Sequence, residues 1–303
     1  MLQIKKYAAI DIGSNAIRLL VSDVIEQNNK PVKFKKTSLI RVPIRLGADV
    51  FIKGEISNAS ITRMLDAMTA FKLLMQAHGV KRYKACATSA MREASNGAEV
   101  TRIIQEKTGV NIDIIDGEIE AAIIATTDLI EFIDPNKTYL YVDVGGGSTE
   151  FSVIDQGEKT VSKSFKIGTV RLLNDIVKKD TWIELEQWIK QHTETYEKID
   201  LIGSGGNINK IFKESGKSPG KPLTYFYLTN YYNMLQSYSY EERITELNLN
   251  QDRADVIIPA TRIYLSAMKW SGARDIYVPK IGLSDGIIKS IYLEVVPSTE
   301  MIF

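Results

Sequence analysis

Cysteine is nearly missing from this chain of 303 residues: Cys86 is the single example, so no internal disulfide can form and a reducing cytoplasm is the expected compartment. Histidine is almost as scarce. With His78 and His192 alone, a histidine-built metal centre is not expected, and any metal should be a hard cation held by oxygen. No apolar run reaches membrane-spanning length, so no membrane partner is expected. The opening MLQIKKYAAIDIG lacks the shape of a secretory signal, because the charge of Asp11 interrupts it. Excess charge is missing too: 38 basic residues against 37 acidic leave a net +1. A polyanion would therefore be held by local patches and not by a global field.

What is present is an ordinary globular composition, 44% hydrophobic and 25% charged, at a length that suits two domains. Strand-like runs (7–12, 16–24, 32–42, 81–89, 112–116, 139–143, 199–204, 275–280) alternate with helix-like ones (57–78, 96–107, 117–133, 181–197, 207–214, 225–247, 252–270, 282–295). That alternation predicts α/β sheets. In 57–78, Ser57 is the predicted N-cap and Gly79 the stop.

The stretch VDVGGGSTEF (142–151) sets three glycines between Asp143 and the group Ser148, Thr149, Glu150. One reading is a tight hairpin using glycine for positive φ. The other is a turn that offers backbone N–H groups beside an acid, to an anion that carries a metal. A faint repeat supports the second. DIGSNAIRLLVSD (11–23) and DVGGGSTEFSVID (143–155) align at a constant offset of 132, matching Asp11 to Asp143 and Gly13 to Gly145. Duplicated domains would each offer one turn to a shared cleft. Ser14, Asn15, Ser148 and the backbone of Gly145, Gly146 and Gly147 would cradle phosphate. Gly13 and the late turn at Gly205 and Gly206 belong to the same set.

Acids beside a polyanion repel it, by about 4 kcal/mol per pair at 4 Å and an effective dielectric of 20. Asp11, Asp143 and Glu150 therefore argue for Mg²⁺ or another hard divalent cation; the plain alternative is that the two aspartates cap their turns. Arg92, in TSAMR, suits a two-pronged grip on phosphate oxygens. Thr88 and Ser89 add hydroxyls or cap the next helix. Lysines and arginines crowd 30–48, 159–179 and 210–221, either as a salt-dependent hold on a phosphate polymer or as solvated faces. The run YFYLTNYY reads as helix packing, and no nucleic acid is expected. No chemistry is assigned to His78, His192 or Cys86.

The blocks AIDIGSNAIRLLVSDV, ACATSAMREASN, GEIEAAI, VDVGGGSTEFSV, IGTVRL, LIGSGGNI and GLSDGII resemble, in order, the exopolyphosphatase/guanosine pentaphosphate phosphohydrolase family of the actin-like ATPase superfamily. The chain departs from the usual pattern at Ala16, Ile119, Ser204, Asn207, Ser284 and Asp285. The resemblance implies two actin-like (ribonuclease H-like) α/β domains with an interdomain cleft, in the short form. Residues 1–118 would form domain I, with the helix 285–303 packing back on it, and 119–284 domain II. It also implies Glu120 as the base that steers water, acting with Glu150, Asp143 and Arg92. The residues alone allow Glu120 to be no more than a first-turn glutamate favoured by its helix dipole. The implied reaction releases orthophosphate from the end of inorganic polyphosphate. The rivals are the same chemistry on guanosine pentaphosphate, a non-catalytic sensor of guanosine tetraphosphate, and an ATP-driven kinase or filament. A homodimer is compatible with the resemblance.

Overall fold

The structure, a computed structural model, describes residues 1–127, 134–294 and 298–301. The chain divides into two compact units, Met1–Thr127 with Gly282–Phe303, and Asp128–Ile281. Of the predicted helical residues, 128–133, 295–297 and 302–303 lie outside the described residues; the helix expected over 285–303 ends at Tyr292, and Thr299–Glu300 is a short strand.

In the first unit, β1 (Leu2–Ile12), β2 (Ile17–Gln27) and β3 (Lys33–Val42) form an antiparallel meander. β4 (Arg82–Ala87) then adds parallel to β1, and β5 (Ile112–Ile114) parallel to β4. Ile10, Ile12, Leu19 and Val21 point into a core closed by Met64, Met68 and Phe71 of the helix Asn58–His78. The Ser57 side chain accepts from Ser60 N–H at the start of that helix, and Gly79 ends it at φ 68°, as the sequence predicts. The helix Leu283–Tyr292 packs on β1 and on the helix Gly117–Ala125.

The second unit repeats the order. β6 (Thr138–Val144), β7 (Thr149–Asp155) and β8 (Glu158–Phe165) form the meander, and β9 (Ile199–Ser204) adds parallel to β6. β11 (Asp275–Tyr277) follows parallel to β9, and β10 (Leu223–Thr224) pairs antiparallel at the edge. Phe151, Phe165 and Trp188 pack edge-on at 5.7 and 5.9 Å in its core. A buried ring of this size stabilises by about 2 kcal/mol relative to exposure.

Both sheets thus run from the third strand of the meander through its second and first to two parallel strands, the strand order of the actin-like, ribonuclease H-like fold. Parallel neighbours need a crossover, and helices supply it. Two helix readings needed revision, and one helix was missed. The helix Leu46–Lys53 had no reading, because an arginine and glycines open and close it. The run 225–247 is two helices, Tyr225–Ser237 and Tyr240–Thr245, since Ser239 and Glu242 form a capping box that restarts the chain. The run 252–270 likewise splits into Gln251–Ala254 and Ile257–Ser271.

Candidate active site

The duplicated hairpins carry many of the candidate site residues. Asp11 and Arg18 stand opposite each other across β1 and β2; Asp143 and Glu150 do so across β6 and β7. Both turns are pinned the same way: Gly13 N–H donates to Ala16 O at 3.2 Å and Gly145 N–H to Ser148 O at 3.0 Å. The offset of 132 read from the sequence therefore holds at the level of single hydrogen bonds.

In each unit the segment after the meander crosses the turn and takes its carbonyls. In the second unit Thr169 N–H donates to Gly145 O at 3.0 Å and Val170 N–H to Gly146 O at 2.9 Å. The Arg171 Nε–H donates to Gly147 O at 2.7 Å. A trans peptide sets its N–H opposite its C=O. With all three carbonyls drawn to one side, the N–H groups of Gly146, Gly147 and Ser148 turn to the other. Successive N–H groups aimed together form an anion-binding concavity. In the first unit Gly47 N–H takes Ser14 O at 2.7 Å and Arg45 N–H takes Asn15 O at 2.9 Å, which turns the Asn15 and Ala16 N–H groups likewise.

The positive-φ reading of the triple glycine is not what the structure has. Gly145, Gly146 and Gly147 are not among the described left-handed residues. Glycine is needed there for close approach. A Cβ on Gly145 would sit 2.9 Å from Ser148 O, and one on Gly168, which crosses the turn, 2.3 Å from Gly146 O. Gly205 is the left-handed one, at φ 119°, a region open to glycine alone. The buried Tyr264 hydroxyl donates to Ser204 O behind it. A Cβ on Gly205 would lie 3.6 Å from an Asp143 carboxylate oxygen, so the late turn closes on that acid. Burial, and then the Asp143 charge, push the Tyr264 and Tyr141 hydroxyls well above their ordinary range, so both stay protonated.

Asp143 and Glu150 differ from Asp11 in their surroundings. Glu150 Oε1 accepts from Ser148 Oγ at 2.6 Å and Ser164 Oγ at 2.9 Å. Asp11 is buried and takes Arg18 Nη1 at 2.9 Å. Burial raises its pKa against the opposing pull of that guanidinium. Among the described residues no group of three or more His, Cys, Asp or Glu could hold a metal.

Glu120 lies in the first turn of the helix Gly117–Ala125, where Asp116 caps by accepting from Ile119 N–H at 2.8 Å. Its side chain is 13% exposed, and Arg92 Nη1 stands 3.9 Å from its Oε2. The same Nη1 donates to Ile115 O at 2.6 Å, which fixes the guanidinium. Ser89 Oγ and Ser14 Oγ lie 3.4 Å apart, and Thr88 is tied to Ile12 O through its N–H at 3.1 Å. The first unit thus gathers Gly13, Ser14, Thr88 and Ser89 around one turn and pairs Arg92 with Glu120. The second gathers Asp143, Gly145, Gly146, Gly147, Ser148, Glu150 and Gly205. Arg18 and Gly168 had been assigned no part in the candidate site, and Arg171 had been read only as one of the basic residues of the run 159–179. The repeat held the signal for Arg18, which aligns with Glu150 at the offset of 132.

A family model described as the Ppx/GppA phosphatase family matches residues 24–295. The chain belongs to this family. Exopolyphosphatase 2 of Mycobacterium tuberculosis is 31% identical over 175 residues, 55% of this chain and 53% of that protein. A guanosine-5'-triphosphate,3'-diphosphate pyrophosphatase of Photobacterium profundum is 29% identical over 195 residues, 64% of this chain and 35% of that protein. The matched stretches span about half and about a third of these two relatives. The crystal structure of an exopolyphosphatase from Cytophaga hutchinsonii superposes with a TM-score of 0.80 at 22% identity, covering 97% of this chain and 99% of that one. It is alike in fold.

Proposed function

We propose that this Ppx/GppA phosphatase family chain hydrolyses the terminal phosphoanhydride of inorganic polyphosphate. The observation that carries the reading is the triple-glycine turn, whose carbonyls are all withdrawn to one side, set between the carboxylates of Asp143 and Glu150. N–H groups aimed together want an anion, and adjacent carboxylates tolerate one only through a cation.

In this reading the N–H groups of Gly146, Gly147 and Ser148, those of Asn15 and Ala16, and the hydroxyls of Ser14, Thr88 and Ser89 bind phosphate oxygens. Arg92 grips the terminal phosphoryl group. Glu120 orients a water and takes its proton as the water oxygen bonds to phosphorus; the bridging P–O bond breaks and the shortened chain leaves. Arg92, already fixed by Ile115 O, stands beside Glu120 Oε2 and keeps it aimed. Asp143 and Glu150 suit Mg²⁺, which takes hard oxygen donors and completes its shell with phosphate and water. Such an ion would offset the charge developing on the phosphoryl oxygens. Asp11 fits a metal less well, because Arg18 already answers its charge.

The Photobacterium relative supports a second reading, in which the same residues act on the terminal phosphate of guanosine pentaphosphate. Phosphate release from each substrate with Mg²⁺ ranks the two. Glu120→Gln should lower kcat at least 100-fold with little change in KM; an unchanged kcat would remove Glu120 from the reaction.

A further inference from the structure

Three carbonyls are drawn back from the triple-glycine turn, and they are not held equally. Those of Gly145 and Gly146 are held by main-chain N–H groups of the segment Gly168–Val170, which stays in place as long as the chain does. The third, Gly147 O, is held by a side chain, Arg171 Nε, at 2.7 Å. Glycine on one side of a peptide removes most of the steric resistance to turning it over. A flipped Gly147–Ser148 peptide would bring its carbonyl oxygen to the anion face and take the Ser148 N–H away.

We propose that Arg171 is a positioning residue, whose Nε–H on Gly147 O keeps the Ser148 N–H turned toward bound phosphate. The assignment rests on the phosphate-binding reading of this turn. It attributes the effect of Arg171 to one directed donor and not to its positive charge. Gly168 makes the geometry available: its backbone crosses so close that a Cβ would fall 2.5 Å from Gly147 C, which brings the helix Thr169–Leu173 within reach of the turn.

Two substitutions separate donor from charge. Arg171→Gln loses the charge and keeps an N–H donor at the same number of bonds from Cα as Nε. Arg171→Lys keeps the charge and puts a methylene there. The expected result is that Arg171→Lys raises KM for polyphosphate about 10-fold with kcat within about 3-fold, the pattern of lost ground-state binding. Arg171→Gln should restore most of that loss. A guanidinium acting by charge alone gives the reverse order, and that order overturns the proposal, as do equal losses in both variants.

Amide hydrogen exchange with inorganic phosphate as the probe supplies a readout free of turnover. Phosphate should slow exchange at the Gly146, Gly147 and Ser148 amides of the unmodified protein. In Arg171→Lys the protection should disappear at Ser148 and persist at Gly146. Retention at Ser148 in that variant overturns the assignment. If both variants fail to fold, the unmodified protein still decides: a Ser148 amide that ignores phosphate while Gly146 responds refutes it. Protection at all three amides without phosphate release from either substrate would instead defeat the functional reading and leave the anion turn standing.

Discussion

The hairpins Asp11–Arg18 and Asp143–Glu150 share length, register and the hydrogen bond that closes their turns, yet at one position they carry opposite charge. In the first, the aspartate is buried and answered from within by Arg18. In the second, the residue opposite Asp143 is another carboxylate, Glu150, which accepts from the Ser148 and Ser164 hydroxyls. A duplicated scaffold can therefore keep its backbone geometry, down to the hydrogen bond that closes each turn, while exchanging the charge at one position.

Steric closeness separates the turns most sharply. At Gly168 a Cβ would meet Gly146 O at 2.3 Å, a backbone atom that cannot step aside. Gly168→Ala should abolish measurable phosphate release and lower stability by about 3 kcal/mol, at the upper end for overpacking. The equivalent glycines grade the contrast: a Cβ meets backbone at 2.9 Å on Gly145 but 3.3 Å on Gly13. Gly13→Ala should cost less than about 1 kcal/mol and leave more activity than Gly145→Ala. Equal losses at Gly13 and Gly145 would mean that the second turn is no tighter than the first.

The charge difference gives the next largest effect, and it predicts different readouts at equivalent positions. Arg18→Ala leaves a buried carboxylate without its cation. It should lower the urea midpoint by the equivalent of about 2 kcal/mol, less than a fully buried pair because the guanidinium is 35% exposed. Glu150→Gln keeps an oxygen for the hydroxyls of Ser148 and Ser164. It should leave stability within about 0.5 kcal/mol while kcat falls at least 10-fold and the Mg²⁺ requirement weakens. If Glu150→Gln destabilises as much as Arg18→Ala, the second pair is structural and the comparison fails.

Much of this was legible in the amino-acid order. Alternating runs gave the α/β class, Ser57 and Gly79 gave a helix its ends, and the offset of 132 foretold a pairing that the register repeats residue by residue. The function of the glycines was harder to read. A triplet between strands suggests backbone φ, whereas the structure shows close approach: a Cβ on Gly145 would meet Ser148 O within the turn, and one on Gly168, some twenty residues onward, would meet Gly146 O where that segment passes over. Sequence does not announce a through-space crossing, because the crossing residues need only be small or hydrogen-bonding. Arg171 was read as one charge in a basic run, and its bond to Gly147 O was hidden for that reason. The helix Leu46–Lys53 was hidden for another: Arg45 enters it at φ 66°, in a conformation arginine rarely takes.

The smallest expected difference concerns how each capping segment is fastened. In the first unit, the helix Leu46–Lys53 that crosses the turn is tied by Asp49, whose Oδ2 accepts from Ser60 Oγ at 2.6 Å and Ser57 Oγ at 2.7 Å. Burial alone would raise this carboxyl, but those hydroxyls and the Ser57 N–H outweigh it and hold it below the ordinary value of 3.8. A lowered folded pKa means that the tie is fully present above the unfolded value and fades as pH falls through the folded one. Arg171, the side-chain tie of the second unit, donates from a guanidinium and involves no carboxylate at Gly147 O. Asp49→Asn should therefore cost about 1 kcal/mol at pH 6.5, and the gap to the unmodified protein should shrink at a pH below the ordinary value of 3.8. Urea midpoints at the two pH values measure it, with Arg171→Gln as the control whose gap stays constant. A gap for Asp49→Asn that persists undiminished in acid would show that the serines hold the helix by shape and not by the charge of the carboxylate.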